Sequence, residues 1–399
     1  MILPGTGRWQ AVGLTEGGFL MDVLGGTPPS TTASRRSPLP APGRILGTIP
    51  MQLRPVQFVD TPVGLEDGSV ARLAGGMQWF AAYEVREGPS RRIVPVARFQ
   101  QELGRSPRAE ALHAAFTAPR SPWIMGERTL RFDQPQVAAI LNVTPDSFSD
   151  GGKHVGDPAA AADSGMAMAA LGAAVIDLGG ESTRPGAAPV WEGDEIARTA
   201  PVIERLARGG ALVSIDTRKA AVMEAALAAG AGIVNDVAAL LWDDRALEVV
   251  ARAGCPVILM HSPDPAKGGH GRFGYGDVLT EVFDWLEARV AAVAAAGVPR
   301  SHIMVDPGIG FGKSLADNLA LINGLAIFHG LGCPIMLGAS RKRMIGALSG
   351  EAPVDARLGG SLALKGAEAG VQLIRVHDVA ETVQALHVWR GLRDRALMG

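Results

Sequence analysis

The stretch LVSIDTRKAAVMEAALAAGAGIVND, residues 212–236, contains one complete strand–helix–strand repeat. A short apolar run ends in Asp216, an alanine-rich segment of helical length follows, and a second apolar run ends in Asn235 and Asp236. Because short strands that alternate with helices form parallel sheets, this pattern predicts a βα unit. The same alternation continues in both directions along the chain.

The alternation covers residues 133–399 and predicts eight strands. The strands are expected at 137–142, 174–178, 212–216, 233–236, 256–260, 303–306, 335–338 and 372–376. Each strand is expected to be followed by a helix, for example at 158–171, 194–208, 220–229, 275–296, 356–370 and 380–389. Eight βα repeats within about 260 residues are typical of a (β/α)8 TIM barrel, an α/β fold. A doubly wound sheet is the alternative, but it rarely contains eight regular repeats.

The first 132 residues have a different character. Residues 1–50 are rich in Gly, Pro, Ser, Thr and Arg, and such a composition buries too little apolar surface to fold, so a disordered leader is expected. Met51 is an alternative start of translation. Residues 51–132 are expected to form a small N-terminal α+β appendage without a chemical motif. Its predicted elements are strands at 78–85, 92–99 and 129–132 and a helix at 107–116.

The charge balance and the cysteines exclude several classes of protein. The 38 Lys and Arg residues nearly balance the 40 Asp and Glu residues, so no net field directs the chain to nucleic acid or an anionic membrane. Cys255 and Cys333 each open an apolar, strand-like phrase, which argues against a disulfide or a zinc framework. With no apolar run of about 18 residues and no secretory signal pattern, a cytoplasmic protein is expected.

Polar side chains stand at the end of nearly every predicted strand. In a barrel these ends converge on one mouth, where the active sites of this fold are built. So many acids, amides and bases are hard to explain by packing, and they predict a catalytic mouth. The strand-end residues are Asn142, Asp177, Asp216, Asn235, Asp236, His261, Asp306, Ser340, Arg341, Lys342, Arg375 and His377.

The residue types at the mouth suggest two kinds of ligand group. Asp216, Asn235 and Asp306 suit a flat heterocycle with amino and ring N–H donors, because carboxylates accept such bonds strongly. Arg375 and His377 alternate along the last strand and therefore point the same way. Together with Asn142 on the neighbouring first strand they suit a phosphate or diphosphate. Asn142 is then a candidate ligand for a bridging Mg²⁺.

Three loops at the mouth have unusual compositions. Loops 142–152 and 179–187 are long and rich in Gly, Ser, Asp and Pro. They are either ordinary surface loops or mobile lids that carry Asp150, Thr183 and Arg184. Loop 306–314 departs from both glycine-rich phosphate-binding fingerprints. It is interpreted as a tight loop whose glycines let Phe311 approach a ligand closely.

Seven phrases of this region occur together and in order, and they resemble the dihydropteroate synthase family. The phrases are LNVTPDSFSDGG at 141–152, DLGGESTRPG at 177–186, SIDT at 214–217, NDV at 235–237, DPGIGFGK at 306–313, GASRK at 338–342 and RVHDV at 375–379. Each phrase alone is moderately specific, whereas seven in order are very specific. The resemblance covers the predicted barrel and nothing in residues 1–130.

The resemblance implies a transferase of folate biosynthesis, which condenses (7,8-dihydropterin-6-yl)methyl diphosphate with 4-aminobenzoate. It also implies the roles of individual residues. The pterin site would comprise Asp216, Asn235, Met260, Asp306, Phe311 and Lys342. The diphosphate site would comprise Asn142, Thr183, Arg375, His377 and Mg²⁺. Asp150 would stabilise a pterin cation, and 4-aminobenzoate would lie against Phe311 among Arg184, Pro185, Ser340 and Lys342. Asp150, Arg184 and Lys342 are the expected catalytic residues, and a homodimer is the expected assembly.

Two other functions stay open at this point. A pterin-dependent methyltransferase would need only the acceptors Asp216, Asn235 and Asp306, and it should lack the STRP and RVH phrases found here. A non-enzymatic pterin-binding protein is disfavoured because the lid and diphosphate residues are all in place.

Overall fold

The computed structural model describes residues 51–101, 103–144, 157–182, 189–263, 265, 274–358 and 366–398. They belong to one compact unit, Gly47–Gly399. The expected disordered leader and most of the two candidate lids lie outside the described residues. None of the helices in these ranges combines the length and the hydropathy of a membrane span.

The N-terminal extension, residues 51–132, begins with an antiparallel sheet in which β3 pairs with each of the other three strands. Its elements are β1 (Gln52–Val59), β2 (Ala71–Arg72), β3 (Trp79–Glu87), β4 (Ser90–Pro95), α1 (Val96–Gln100) and α2 (Pro107–Thr117). The α+β prediction is confirmed, but the strand predicted at 92–99 is wrong in its second half. Pro95 has no N–H for the ladder, so the strand ends there and a helix begins.

A short hairpin closes the bottom of the barrel. It consists of β5 (Trp123–Met125) and β6 (Arg128–Leu130). Trp123 packs edge-to-face on Phe132 with ring centroids 5.2 Å apart, and its indole N–H donates to Ser301 O at 2.7 Å. Both rings join a buried apolar cluster with residues from the strands of the barrel. The hairpin thus covers apolar side chains that would otherwise face water.

The predicted (β/α)8 barrel is confirmed. Eight parallel strands form a sheet in the order β12-β11-β10-β9-β8-β7-β14-β13, and a parallel bridge between Val305 and Ile335 joins its two ends. The strands are β7 (Gln136–Asn142), β8 (Val175–Gly179), β9 (Val213–Asp216), β10 (Ile233–Asp236), β11 (Val257–Met260), β12 (Ile303–Asp306), β13 (Met336–Leu337) and β14 (Leu373–Val376).

Helices follow the strands, and side-chain caps start several of them. Asp157, Asp277 and Ser314 each accept a backbone N–H of the first turn. The helices are α3 (Pro158–Ala170), α4 (Glu192–Arg208), α5 (Ala220–Ala228), α6 (Ala246–Ala253), α7 (Val278–Ala295), α8 (Leu315–Asn323), α9 (Arg343–Leu348) and α10 (Val379–Met398). Of the helix predicted at 356–370, only residues 356–358 and 366–370 are described: Leu358 is α-helical, whereas Ala356 and Gly366–Ala369 lie in 3-10 turns.

The extension and the barrel share one hydrophobic core. Gly330 lies in the 3-10 segment Leu325–Leu331, where a Cβ would be only 3.0 Å from the ring of Phe116 and 3.3 Å from that of Phe283. Phe116 belongs to the extension and Phe283 to α7, so the glycine leaves room for rings from both sides. The extension is therefore packed into the side of the barrel.

Candidate active site

The ends of four strands bring together three acidic or amide side chains and one arginine. Arg375, on β14, donates through Nε to Asp177 Oδ2 at 2.5 Å and through Nη2 to Asp216 Oδ2 at 2.7 Å. Asn235 donates through Nδ2 to both oxygens of Asp177, at 3.3 and 3.1 Å. The cluster links β8, β9, β10 and β14 across the mouth, as the convergence of strand ends requires.

Asp216 carries the clearest sign of a binding role in this cluster. Burial raises the pKa of Asp216 to about 7; the Arg375 guanidinium opposes that rise and the Asp177 carboxylate adds to it. Asp216 Oδ1 is buried and has no hydrogen-bond partner within the described parts of the chain. A buried acceptor without a partner is costly, so this oxygen is well placed to receive an N–H from a ligand.

The glycine loop after β12 is held in a tight conformation. Gly308 donates its N–H to Asp306 Oδ1 at 2.7 Å, and burial raises the pKa of Asp306. The φ of Gly308 is +69°, and a Cβ there would lie 1.9 Å from His261 O. Only glycine fits such a position, which confirms the interpretation of 306–314 as a tight loop. Met260, buried at the end of β11, pairs in register with Asp306.

Lys342 and Phe311 form one wall of the mouth. The Lys342 ammonium lies 4.4 Å from the centroid of the Phe311 ring, within the range of a cation–π contact. Burial, with the nearby Arg375 charge, lowers the pKa of Lys342 to about 8. Arg341, the preceding residue, has a φ of +55°. Such a conformation is uncommon for a side chain of this size and clusters at functional sites.

Ser340 and His377 meet beside this wall. Ser340 Oγ lies 3.1 Å from His377 Nδ1 and accepts the His377 backbone N–H at 3.3 Å. Burial, then the charges of Arg341 and Arg375, lowers the pKa of His377 to about 4. His377 is therefore neutral at pH 7. It can offer a hydrogen bond to an anion, while the positive charge comes from Arg375.

Asn142 ends β7 close to Gly179 on β8. A Cβ on Gly179 would lie 3.2 Å from Asn142 Oδ1, so the glycine keeps space around this oxygen. Within the described ranges, no group of three or more His, Cys, Asp or Glu side chains could hold a metal ion. A magnesium ion here would take one oxygen from Asn142 and the others from a phosphorylated substrate and water, which is common for Mg²⁺.

Four predicted site residues cannot be placed. Asp150, Thr183, Arg184 and Pro185 lie outside the described residues. The segment that carries the last three is nevertheless bounded by an ion network at both ends. Its members are Glu181, Val190, Glu195, Arg218 and Lys219.

This network joins the two flanks of the 183–188 segment. Lys219 Nζ lies 3.2 Å from Glu181 Oε1 and 2.5 Å from Glu195 Oε2, and it donates to Val190 O at 2.7 Å. The Val190 N–H donates back to Glu181 at 2.9 Å, and Arg218 lies 3.2 Å from Glu181. The flanks are therefore fixed to each other by buried charges. The sequence feature that could have indicated this network is the adjacent pair Arg218 and Lys219, which follows the SIDT phrase at 214–217.

Two further residues of the mouth had no predicted role. Asp177 was recognised only as a strand end, yet it is the partner of both Arg375 and Asn235. Lys313 donates to Gly308 O at 2.8 Å, Phe311 O at 3.3 Å and His261 O at 3.4 Å. Its position after three closely spaced glycines is the sequence feature that could have indicated this role. Lys313 thus ties the glycine loop to the end of β11.

Residues 138–377 match the sequence profile of a family described as pterin binding enzyme. The dihydropteroate synthase of Escherichia coli K12 is 43% identical over 263 residues, which cover 65% of this chain and 92% of that protein. The chain belongs to the dihydropteroate synthase family. A probable bifunctional folylpolyglutamate synthase/dihydropteroate synthase of Haloferax volcanii is 46% identical over 265 residues, but this chain spans only 31% of that protein.

Solved structures of the dihydropteroate synthase family show the same barrel. The Xanthomonas albilineans enzyme with 4-aminobenzoic acid has a TM-score of 0.63 and 46% identity, over 68% of this chain and 98% of that one. The Burkholderia cenocepacia enzyme complexed with 7,8-dihydropteroate has a TM-score of 0.63 and 40% identity, over 69% and 98%. These matches leave about a third of this chain uncovered, and the family profile begins only at residue 138.

Proposed function

We propose that this protein is a dihydropteroate synthase. It would condense (7,8-dihydropterin-6-yl)methyl diphosphate with 4-aminobenzoate to give 7,8-dihydropteroate and diphosphate. The observation that carries the proposal is the Asp177–Asp216–Asn235–Arg375 cluster, at the mouth of a barrel whose relatives bind 4-aminobenzoic acid and 7,8-dihydropteroate.

The pterin would bind in the acidic half of the mouth. A pterin presents an amino group and ring N–H groups along one edge, and Asp216 Oδ1 is a buried acceptor that has no other partner among the described residues. Asp306 and Asn235 would complete the polar edge, and Met260 would pack against the ring. Lys342 would donate to the ring acceptors, because a lysine with a lowered pKa still carries two N–H donors when neutral.

The diphosphate would bind in the basic half. Arg375 would supply positive charge and His377 a neutral hydrogen bond, with Thr183 on the second lid. Asn142 would hold Mg²⁺, which neutralises charge on the leaving diphosphate. Arg375 is bound to Asp177 and Asp216 through Nε and Nη2. A guanidinium has five N–H donors, so Arg375 would keep both carboxylate contacts and direct its remaining N–H groups to the phosphate.

The reaction needs no covalent nucleophile. The C–O bond between the pterin methylene and the diphosphate breaks, and the bonding electrons leave with diphosphate. The amine nitrogen of 4-aminobenzoate forms the new C–N bond and loses one proton. Asp216, Asp306 and Asp150 would stabilise the positive charge that develops on the pterin. The aminobenzoate ring would lie against Phe311, among Arg184, Pro185, Ser340 and Lys342.

The decisive experiment supplies purified protein with both substrates and Mg²⁺, and measures dihydropteroate and diphosphate together. Equal amounts of the two products, with none in an Asp216→Asn variant, would support the proposal. Pterin binding without diphosphate release would overturn it in favour of a binding protein. Turnover only with a methyl donor would favour the methyltransferase alternative.

We further propose that the enzyme acts as a homodimer, as its family resemblance implies, and that it works in the cytoplasm, which suits a chain with only two cysteines. Light scattering on the purified chain would test the dimer, and fractionation of cells would test the location. A monomer at working concentrations, or recovery with membranes, would contradict these two proposals without affecting the reaction.

A further inference from the structure

The N-terminal extension binds one face of helix α7 along much of its length. Buried Gln52 donates to Asp284 Oδ1 at 2.7 Å and accepts from Thr280 Oγ1 at 3.0 Å. Arg108 forms a bidentate pair with Glu287, at 2.6 and 3.1 Å. These contact positions on α7 are spaced by three or four residues, which places them on one side of a helix. The extension therefore fixes the position of α7 through polar contacts as well as through the shared core.

The contacts at the start of α7 involve two arginines on one carboxylate. Arg86 Nη2 lies 2.6 Å and Arg91 Nη2 2.8 Å from Asp277 Oδ2. Asp277 Oδ1 accepts the Thr280 N–H and thereby caps the helix. Helices of a barrel begin on the side where its active site is built. Arg86 and Arg91 thus act on the mouth end of α7, about 15 Å along the helix from Glu287.

Another face of α7 supports a turn beside the pterin pocket. Arg289, almost fully buried, donates through Nε to Ala239 O at 2.6 Å and through Nη2 to Leu240 O at 3.1 Å. Ala239 and Leu240 have φ values of +51° and +61°. Two successive residues with side chains in this region are strained, and such strain persists only where the surroundings enforce it.

The strained turn is continuous with the site. Asp236, fully buried, accepts the N–H groups of Ala238 and Leu240, each at 2.7 Å. The turn is therefore held from one side by Asp236 and from the other by Arg289. Asn235, the residue before Asp236, donates to Asp177 in the mouth. A shift of α7 would move Arg289, release the strained turn and displace Asn235.

We propose that the extension is a brace for the substrate site, in which Arg86 and Arg91 are positioning residues that act through α7, Arg289 and the turn at 237–241. This inference rests on the proposed pterin site and assigns a role to a part of the chain that the family profile does not cover. The brace differs from a merely stabilising contact because it predicts a specific effect on the pterin pocket.

The test compares an Arg86→Met/Arg91→Met double variant with an Arg393→Met control in the full chain. Arg393 is a matched control because it lies on α10 and pairs with Asp60 of the extension, so it also joins the extension to the barrel but makes none of the described contacts with α7. A single Arg91→Met variant serves if the double variant folds poorly. Hydrogen exchange at the Ala238 and Leu240 amides and the Kd of 6-hydroxymethylpterin are measured for each protein, together with Tm.

The brace predicts faster exchange at both amides and pterin binding weaker by roughly 2- to 30-fold in the double variant, with both quantities unchanged in Arg393→Met. Arg289→Met should reproduce the effect. Unchanged exchange and affinity in the double variant would overturn the brace, as would equal losses in Arg393→Met at a similar Tm. If the wild type binds pterin but releases no diphosphate, the proposed function fails while the exchange data still decide the brace.

Discussion

Arg375 Nη2 donates to Asp216 Oδ2 at 2.7 Å, while the other oxygen of Asp216 is buried without a partner in the described structure. The protein therefore provides a hydrogen-bond donor to only one of the two oxygens of this carboxylate. Since burial raises the pKa of Asp216 to about 7, its protonation changes near neutral pH. The pairing keeps the group partly ionised, and the free oxygen is available to a ligand.

Pterin affinity should therefore fall as the pH drops below about 7. Protonation removes an acceptor, and if only the ionised form binds, the Kd should rise about tenfold per pH unit. The free energy of unfolding should change in the opposite direction, becoming larger as the pH drops. An unfolded Asp titrates near pH 3.9, so the folded state binds the extra proton between about 4 and 7, and the free energy of unfolding falls as the pH rises through that window.

Binding of 6-hydroxymethylpterin between pH 5.5 and 8, with denaturant unfolding at the same pH values, checks both directions. Asp216→Asn is the control, because an amide does not titrate: its affinity should be weak and should lose this pH dependence. A wild-type Kd that is flat across the range would show that Asp216 does not contact the pterin.

Arg375→Ala and His377→Ala should have different effects on stability. Arg375 is the partner of two buried carboxylates, and removal of one member of a buried ion pair costs about 3–5 kcal/mol. His377 makes hydrogen bonds only with Ser340 among the contacts described, so its loss should cost about 1 kcal/mol. Both variants should bind diphosphate at least about tenfold more weakly.

Competition by inorganic diphosphate and urea unfolding measure the two quantities separately. Arg375→Lys is a useful comparison, since a lysine keeps the charge but not the two-pronged geometry. Diphosphate affinity that is unchanged in both alanine variants would rule out the assignment of the basic half. Equal losses of stability would show that His377 supports the fold more than its contacts suggest.

Gly308→Ala should lower the stability by more than the left-handed backbone conformation alone explains, and it should also impair the site. Gly308 and Gly254 have similar φ values, +69° and +63°, but a Cβ at Gly308 meets His261 O at 1.9 Å whereas one at Gly254 has no neighbour within 4 Å. Gly254→Ala should therefore cost about 1–2 kcal/mol from the left-handed backbone alone. Gly308→Ala should cost more and should also raise the KM for 4-aminobenzoate, because Phe311 lies on the displaced loop.

Thermal unfolding and steady-state kinetics of the two variants make the comparison. If Gly308→Ala lost no more stability than Gly254→Ala and kept its KM, the close contact with β11 would be unimportant. A raised KM in both variants would point to a general loss of stability.

The barrel could be predicted well because its signal is local and repeated. The strands at Ile233–Asp236 and Ile303–Asp306 have the predicted bounds, each a short apolar run that ends in an acidic residue. The strand expected at 335–338 is reduced to Met336–Leu337, because Ile335 forms only an isolated bridge and Gly338 leaves the ladder. The strand predicted at 92–99 ends at Pro95, because proline has no N–H for the next ladder bond.

The contacts within the site were less predictable. Convergence of Asp216, Asn235 and Asp306 follows from the fold, but the pairing of Arg375 with Asp177 joins residues 198 positions apart. The side-chain contacts across a mouth depend on strand register and on rotamers, and neither can be inferred from a local sequence pattern. Lys313 illustrates the same limit, since its three acceptors are backbone oxygens that any sequence would carry.

The extension and the barrel should unfold together as one cooperative unit. Phe116 is fully buried, lies against Tyr83 with ring centroids 5.7 Å apart, and fills the space left by Gly330. Truncation of a buried phenylalanine costs about 3–5 kcal/mol. Because the core is continuous, Phe116→Ala should lower the Tm of a single transition that includes the barrel. Ile93→Ala, an exposed change in the same sheet, should alter stability by less than about 0.5 kcal/mol.

Calorimetry of the two variants, with barrel unfolding followed through the ¹⁹F resonance of Trp285 in protein labelled with 5-fluorotryptophan, distinguishes the possibilities. An early transition that moves alone in Phe116→Ala, with the barrel signal unchanged, would mean that the extension unfolds independently. Such independence would also weaken the case for a brace, because a part that melts separately cannot hold α7 in place. Coincident shifts in heat capacity and in the Trp285 resonance would instead mean that packing against the extension is part of the barrel's own stability.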